Sequence, residues 1–507
     1  MKEFLLNIQA HFKGRMTIIT LMVIGFLGCT YYAANGDMPL AAIICSIPIL
    51  FLAIGFFIHH PVTLFAILFV YNYGIMGLIR YVSFSFPISV AMDGLLLFTL
   101  TILGVSLLRG KTTWKSEVTP FLLLYSFWFV YCLIQLFNNT TGVGIQIAPW
   151  LRDVRPMALD AALIILIFAL LFNKYNDIKI FLYAWGFCII LAAAKGYWQR
   201  NHGFDSAEWL WLMSGGARTH LITSGVRYFS FFTDAANFGS NMAFSLVTYA
   251  ICFLTEKNYY SKIYFLIVAI AGGYGMFVSG TRTALIVAIA GFFIYTLLSK
   301  NVKLFLISFC FLATSIGILK YTTIGESNRM ISRMRTAFDP EDASLQVRLT
   351  NQRAIKAYMK EAPWGIGMGW GMGEYNLPQN NKYWIVSITA PDSTLVYLWM
   401  RTGAIGITVF MLVSVLAIIA NSYIVLFRIR NPQLRGVLTA FTCGSACMLV
   451  AGYGNFIYHQ YPNALLIYGL QTLVFMGPYF DKQLTEQQAF KQLVSKKKEN
   501  NTDSAPC

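Results

Sequence analysis

Two arginines stand beside apolar runs long enough to cross a membrane. Arg227 belongs to the stretch Gly225–Gly239, which leads into one run, and Arg282 lies in a Ser-Gly-Thr-Arg-Thr-Ala segment between two others. A charge at the mouth of a membrane bundle is costly unless it is paired, so such residues are functional candidates. A guanidinium group binds phosphate through two hydrogen bonds and does not lose its proton. The two residues therefore predict a site for an anionic, phosphate-bearing ligand.

A third stretch, residues 351–371, has the pattern of an amphipathic helix that carries Arg353, followed by Pro-Trp-Gly and alternating glycines. Asp392 and Arg401 follow, before the next long apolar run. A carboxylate beside a hydroxyl can remove its proton during attack, which is typically worth ~10²–10⁴-fold in rate. Asp392 is therefore the first candidate for a general base. A free aspartate, with a pKa of about 3.9, is a weak base, and burial raises that pKa.

Two other residues are candidates for the same role. His459, in a short loop, is the second and Glu374 is the third. The simpler interpretation of His459 is an interfacial histidine beside Tyr458 and Tyr461. For each single arginine the simpler interpretation is an ion pair with a carboxylate such as Asp234, or contact with lipid headgroups.

The composition requires a membrane. Of the 507 residues, 57% are hydrophobic and only 12% are charged, roughly half the ~25% of a soluble domain, and the mean hydropathy is +0.60. So few charges cannot cover that much apolar surface, which excludes a soluble enzyme, a disordered protein and a nucleic-acid-binding protein. The nine cysteines mostly lie inside apolar runs, without disulfide or metal-ligand spacing. The cysteines therefore indicate neither a disulfide framework nor a metal site, and we expect no cofactor.

Fourteen apolar runs are candidate membrane spans. Each must be helical, because lipid offers the backbone no hydrogen-bond partner. The expected fold is an all-α, polytopic membrane bundle of about 14 transmembrane helices with a large, partly helical outer loop. The runs fall near residues 16–33, 39–58, 62–78, 88–107, 119–137, 157–172, 178–196, 237–254, 261–279, 283–299, 303–320, 404–427, 436–456 and 464–480.

Lysines and arginines in the short loops mark one side of this bundle as cytoplasmic by the positive-inside rule, and an even number of spans puts both termini there. The long connections then all face outward, at 138–156, 197–236 and 321–403. We expect four parts: amino-terminal transmembrane helices at 1–200, a catalytic transmembrane core at 201–427, carboxy-terminal helices at 428–480 and a disordered cytoplasmic tail at 481–507.

Arginine and lysine distribute differently across this topology. Thirteen of the 18 arginines fall on the outer side, against five of the 20 lysines. A topology signal needs only charge, whereas arginine adds a planar fork that grips phosphate or carboxylate. The asymmetry favours an anionic ligand on the outer side, with pairing to outer carboxylates as the alternative.

The order of these motifs, over roughly residues 200–420, resembles the O-antigen ligase and polymerase family of bacterial envelope glycosyltransferases. The matching features are an arginine-aromatic stretch that ends in Asn-Phe and a Ser-x-x-Arg at the start of a span. They continue in a long outer loop with an arginine-bearing helix, a Pro-x-Gly-x-Gly turn and a Thr-Gly-x-x-Gly entry into the next span.

The resemblance implies a metal-independent glycosyltransferase of the inner membrane. Members take a glycan from an undecaprenyl-diphosphate carrier on the periplasmic side and pass it to a sugar hydroxyl. The acceptor is lipid A core in ligases, which build lipopolysaccharide, and another carrier-linked glycan in polymerases. By position, Arg227 and Arg282 match the arginines that hold the carrier diphosphate, and Arg353 matches a further loop arginine. Family ligases carry a histidine where this chain has Asp392, which leaves ligase and polymerase both open.

Two other functions remain open. A transporter or flippase of lipid-linked sugars would also use outer arginines, and a non-catalytic envelope scaffold would need none of this chemistry. Asp93 and Asp160 lie inside apolar runs, where carboxylates can relay protons in transporters or pair with a neighbouring helix. The concentration of polar residues on the outer side favours transfer chemistry.

Overall fold

The computed structural model describes residues 52–82, 88–222, 225–299, 343–371 and 375–502, together with 20, 23–32, 34–35 and scattered positions between 306 and 335. Much of the predicted spans 39–58 and 303–320, and Glu374, lie outside the described residues. The chain divides into two compact units, one of residues 1–67 with 98–112 and the other of residues 68–97 with 113–507. All residues of the candidate site discussed below belong to the second unit.

The described chain is almost entirely helical. Its helices are α1 (Pro61–Leu78), α2 (Ile88–Leu108), α3 (Thr119–Ile134), α4 (Ile147–Val154), α5 (Asp160–Leu171), α6 (Tyr175–His202), α7 (Ser206–Trp211), α8 (Ala217–His220), α9 (Ala235–Thr255), α10 (Tyr259–Val278), α11 (Arg282–Leu298), α12 (Ala343–Met359), α13 (Trp384–Ile388), α14 (Thr394–Tyr423), α15 (Pro432–Gly454), α16 (Asn463–Phe475) and α17 (Gly477–Thr502). Two short strands, β1 (Leu221–Ile222) and β2 (Gly225–Val226), pair antiparallel.

Helices α9 and α15 form the centre of the second unit. In α9 and α15, 72% and 89% of the residues in the most apolar stretch are buried. The corresponding share is 39% for α10 and 33% for the helix that contains α14. Close packing here depends on small residues, as is common between membrane helices. A Cβ at Gly272 of α10 would come within 2.9 Å of the Met242 carbonyl oxygen of α9. The backbones of α9 and α10 therefore pack directly against each other.

The expected fold class is confirmed. Among the described residues, nine helices are long and apolar enough to cross a membrane, and three shorter apolar helices accompany them. The total of 14 stays a prediction. Span boundaries differ most in two places: the predicted run 157–172 extends back to Ile147 through a π-turn, and the run 404–427 begins at Thr394.

The carboxy-terminal segment differs from the sequence expectation. Helix α17 continues to Thr502, through most of the tail that the sequence analysis expects to be disordered. The physical reason is that the segment after Pro478 contains neither proline nor glycine up to Thr502 and is rich in Gln, Lys, Glu and Leu, which are strong helix formers.

Asp93 and Asp160 each have a partner. Asp93 of α2 forms an ion pair with Arg155, which follows α4. The Tyr461 hydroxyl donates to Oδ2 of Asp160 at 3.2 Å. These contacts match the alternative in which each carboxyl group pairs with a neighbouring segment.

Candidate active site

The loop before α9 presents Arg227. The β1–β2 hairpin brings the Arg227 backbone to His220, whose carbonyl accepts from the Arg227 N–H at 2.8 Å. The guanidinium group then makes two contacts of its own: Nη1 donates to the Thr219 carbonyl oxygen and Nη2 donates to Oγ1 of Thr281, both at 3.1 Å. Arg227 is therefore held against the residue that precedes Arg282.

Thr281 connects this loop to the start of α11. Its hydroxyl donates to the Ala235 carbonyl oxygen at 2.9 Å while it accepts from Arg227. Because that hydroxyl is used in this way, the Thr281 side chain does not cap α11. Arg282 is the first residue of α11 and is half-buried. Arg227 and Arg282 thus lie beside each other at the positive end of a helix dipole.

A third arginine, Arg348 of α12, reaches the same place. Its Nη2 donates to Oδ1 of Asn455 at 3.1 Å. Asn455 ends α15, and its Nδ2 donates to Oγ1 of Thr283, in the first turn of α11, at 2.7 Å. Asn455 therefore joins α12, α15 and α11. We call Arg227, Arg282 and Arg348 the arginine cluster.

The electrostatics of the arginine cluster agree with this proximity. Burial lowers the pKa of Arg227, and the positive charges of Arg348 and Arg282 lower it further, while Asp234 opposes them. Asp234 is committed to α9, whose Ala236 and Asn237 N–H groups donate to its Oδ1 at 2.7 and 2.9 Å. The three guanidinium groups, opposed by Asp234, form a partly desolvated region of positive charge, which favours an anion.

Asp392 lies next to this region. Asn351, one turn after Arg348 on α12, donates from Nδ2 to Oδ2 of Asp392 at 3.0 Å. Two residues later, the Thr394 hydroxyl donates to the Asn455 carbonyl oxygen at 3.1 Å. Asp392 is half-buried and adopts a left-handed backbone with φ of 52°, which is uncommon for a residue other than glycine and is frequent at functional sites.

Arg353 lies on another face of α12. It is exposed, whereas Ile355 and Met359 pack into a small core of the loop region. Five helical residues rotate a side chain by about 140°, so Arg353 and Arg348 cannot share one face. The motif order selects Arg353, and it does not distinguish Arg348 from the other outer arginines. Arg348 lies seven residues, about two helical turns, before the apolar Ile355. This spacing, visible in the sequence, places Arg348 on the same side of the helix as the buried Ile355.

Arg401 is buried in a separate ion pair. Its Nε lies 3.3 Å from Oδ2 of Asp153, and its guanidinium group stacks on Tyr397 at 4.5 Å. Asp153 also accepts from the Gly369 N–H at 2.6 Å. Arg401 is 0% exposed, and through Asp153 it supports the loop that follows α12.

The alternating glycines of this loop have a conformational cause. Gly365, Gly367, Gly369 and Gly371 all have positive φ, between 81° and 93°. A Cβ on Gly369 would stand 1.8 Å from the Pro149 carbonyl oxygen. The pattern is therefore required by close approach of two backbones and has no need of a phosphate.

His459 lies in an apolar surrounding. It packs against Phe410 and Tyr458, and neither ring nitrogen has a hydrogen-bond partner among the described residues. Burial lowers the pKa of His459 to about 3. A base with so low a pKa competes poorly for a proton at neutral pH.

Within the part of the chain that is described, no group of three or more His, Cys, Asp or Glu side chains could hold a metal ion.

The family comparison covers part of this site. Residues 266–411 match the family model described as O-Antigen ligase, a segment that contains Arg282, Arg348 and Asp392 and ends before Asn455. No curated protein matches the chain at a significant level. The resemblance inferred from the sequence is therefore confirmed over residues 266–411, which are similar to the O-antigen ligase family of bacterial cell-envelope membrane glycosyltransferases.

Proposed function

We propose that the protein transfers a glycan from an undecaprenyl-diphosphate carrier to an acceptor sugar hydroxyl on the periplasmic side of the inner membrane. The acceptor is a second glycan or lipid A core, and both termini lie in the cytoplasm. The observation that carries the proposal is the 3.1 Å hydrogen bond from Arg227 to Thr281, because it brings Arg227 from the loop before α9 to the helix terminus where Arg282 lies.

The arginine cluster suits a leaving diphosphate. Cleavage of the sugar–diphosphate bond moves negative charge onto the diphosphate oxygens, and guanidinium groups bind those oxygens in pairs. The amino terminus of α11 adds its helix dipole to the same place. Donors that are fixed before the reaction need no reorganisation, and removal of one typically lowers the rate by ~10²–10³-fold.

Asp392 is the proposed general base. It accepts the proton of the acceptor hydroxyl while the hydroxyl oxygen forms a bond to the anomeric carbon, and the carbon–oxygen bond to the diphosphate breaks at the same centre. The electron pair of that bond leaves with the diphosphate. Asn351, which donates to Oδ2 at 3.0 Å, keeps one carboxylate oxygen in place and leaves Oδ1 to face the acceptor.

The first test removes each arginine separately. We expect Arg227→Ala and Arg282→Ala, reconstituted in vesicles with a lipid-linked glycan donor and an acceptor, to lose transfer by about 10²-fold or more while both still insert. Arg200→Ala is the matched control, because Arg200 is exposed at the end of α6. Wild-type rates in either cluster variant would remove that residue from the diphosphate site.

Two further measurements separate the alternatives. A wild-type protein that moves the lipid-linked glycan across the bilayer without joining it to an acceptor would be a flippase. In a deletion strain, free carrier-linked long chains would indicate a ligase, and single capped repeat units would indicate a polymerase.

The general base has its own test. Asp392→Asn should cut turnover strongly, and unchanged turnover would exclude Asp392 as the base.

A further inference from the structure

Arg80 donates hydrogen bonds to the backbone of the loop that leads into α9. It follows α1, and its Nη1 donates to the Ser230 carbonyl oxygen at 3.2 Å. Its Nη2 donates to the carbonyl oxygens of Phe232 and Thr233, the latter at 3.1 Å. One guanidinium group thus donates hydrogen bonds to three backbone carbonyl oxygens within four consecutive residues. Its donors are used within the protein, in contrast to the ligand-binding role that the outer arginines suggested as a set.

Aromatic rings fix the guanidinium group in place. Its Cζ lies 4.5 Å from the ring centroid of Trp211 and 4.4 Å from that of Phe229, and cation–π contacts of this kind hold the charge in one orientation. Burial lowers the pKa of Arg80 to about 10, with Glu208 and Asp234 acting in the opposite direction. Arg80 is therefore still a cation at neutral pH.

The loop needs such support. Ser230 has a φ of 51°, a left-handed conformation that is strained for a residue other than glycine and persists only where neighbours impose it. Gln199 holds the Ser230 backbone from one side, since its Oε1 accepts from the Ser230 N–H at 2.8 Å. Arg80 holds the carbonyl oxygens of Ser230, Phe232 and Thr233. The two side chains together determine where the loop ends.

The end of this loop is connected to the arginine cluster. Thr233 precedes Asp234, the residue that caps α9. Ala235, the first residue of α9, accepts from the hydroxyl of Thr281, and that hydroxyl accepts from Arg227. A shift of the loop would therefore move the Thr281 contact that places Arg227 beside Arg282.

We propose that Arg80 is a positioning residue for glycan transfer: by holding the carbonyls of residues 230–233, it keeps Arg227 and Arg282 at the spacing that binds the diphosphate. This inference rests on the proposed function of the arginine cluster. The fork of the guanidinium group matters more than its charge, because three separate carbonyls must be reached at once.

The test compares Arg80→Lys and Arg80→Met with the exposed Arg200→Met. We expect both Arg80 variants to lower kcat by about 10- to 100-fold, since misplacement by about 1 Å can cost ~10²-fold, and we expect Arg200→Met to behave as wild type. Lys keeps the charge and loses the fork, so full rescue by Arg80→Lys would overturn the positioning role. Wild-type kcat in Arg80→Met would overturn it as well.

A double variant shows whether Arg80 acts through Arg227. We expect Arg80→Met to cost much less in the background of Arg227→Lys than in wild type, because residues that act through one contact are not additive. Fully additive losses would show that Arg80 supports folding in general and would overturn the inference. If Arg227→Ala itself transfers at the wild-type rate, the proposed function fails first. If Arg227→Ala is inactive and Arg80→Met is not impaired, only the positioning role fails.

Discussion

Arg348 and Arg353 allow the geometry of the arginine cluster to be tested with two substitutions on one helix. They lie five residues apart on α12, so Arg→Ala changes the intrinsic helix propensity equally at both positions. Arg348 donates to Asn455 at 3.1 Å, while Arg353 is exposed on a different face. The family resemblance selects Arg353 for the diphosphate, and the structure favours Arg348.

The two substitutions should differ clearly in their effects on the transfer rate and on the stability of the fold. Loss of one preorganised donor to a developing charge typically costs ~10²–10³-fold in rate, or about 3–4 kcal/mol in the transition state. Arg348→Ala also removes a donor from Oδ1 of Asn455, which destabilises the fold by about 1–3 kcal/mol. An exposed substitution such as Arg353→Ala stays within about 0.5 kcal/mol.

The assay is single-turnover transfer from a lipid-linked glycan, together with thermal unfolding of each purified variant. We expect Arg348→Ala to lose at least ~10²-fold in rate, by the same reasoning, and Arg353→Ala to match wild type. Arg348→Lys should fall between, because a lysine keeps the charge and loses the fork. The opposite ranking, with Arg353→Ala inactive and Arg348→Ala normal, would refute the reasoning from helix face.

Two further predictions concern stability. Arg401→Leu should destabilise the protein by less than the ~3–5 kcal/mol of a fully unpaired buried charge, because Arg152 still lies 3.4 Å from Asp153. The double variant with Asp153→Leu should recover part of the loss, and an unchanged melting temperature in the single variant would contradict the ion pair. Burial lowers the pKa of His459 to about 3, against about 6.5 in the unfolded chain. Between about pH 6.5 and pH 3, the unfolded state therefore binds a proton at His459 that the folded state does not bind. Stability from this residue should be fully present above pH 6.5 and fall below it, and His459→Phe should flatten that acid side of the melting profile.

Much of the fold follows from local sequence. A lipid environment forces helices on any apolar run, so composition and run length predict the class and most spans. The same local reading selects Arg227 and Arg282 as candidates, because a charge at the edge of an apolar run is visible without tertiary structure. The continued helix of α17 was missed, since polarity alone does not distinguish a charged helix from a disordered tail.

Other features depend on residues far apart in the chain. Arg227 and Thr281 are separated by 54 positions, Arg348 and Asn455 by 107, and Asn455 and Thr283 by 172. No periodicity within one segment encodes these contacts, so Asn455 had no signal at all and Arg401 was indistinguishable from a ligand-facing arginine. The sequence by itself determined a helical membrane protein with arginines at the ends of its spans, because hydrophobicity is a local property. Tertiary structure alone decided which of those arginines face one another, because that choice depends on how the helix faces pack.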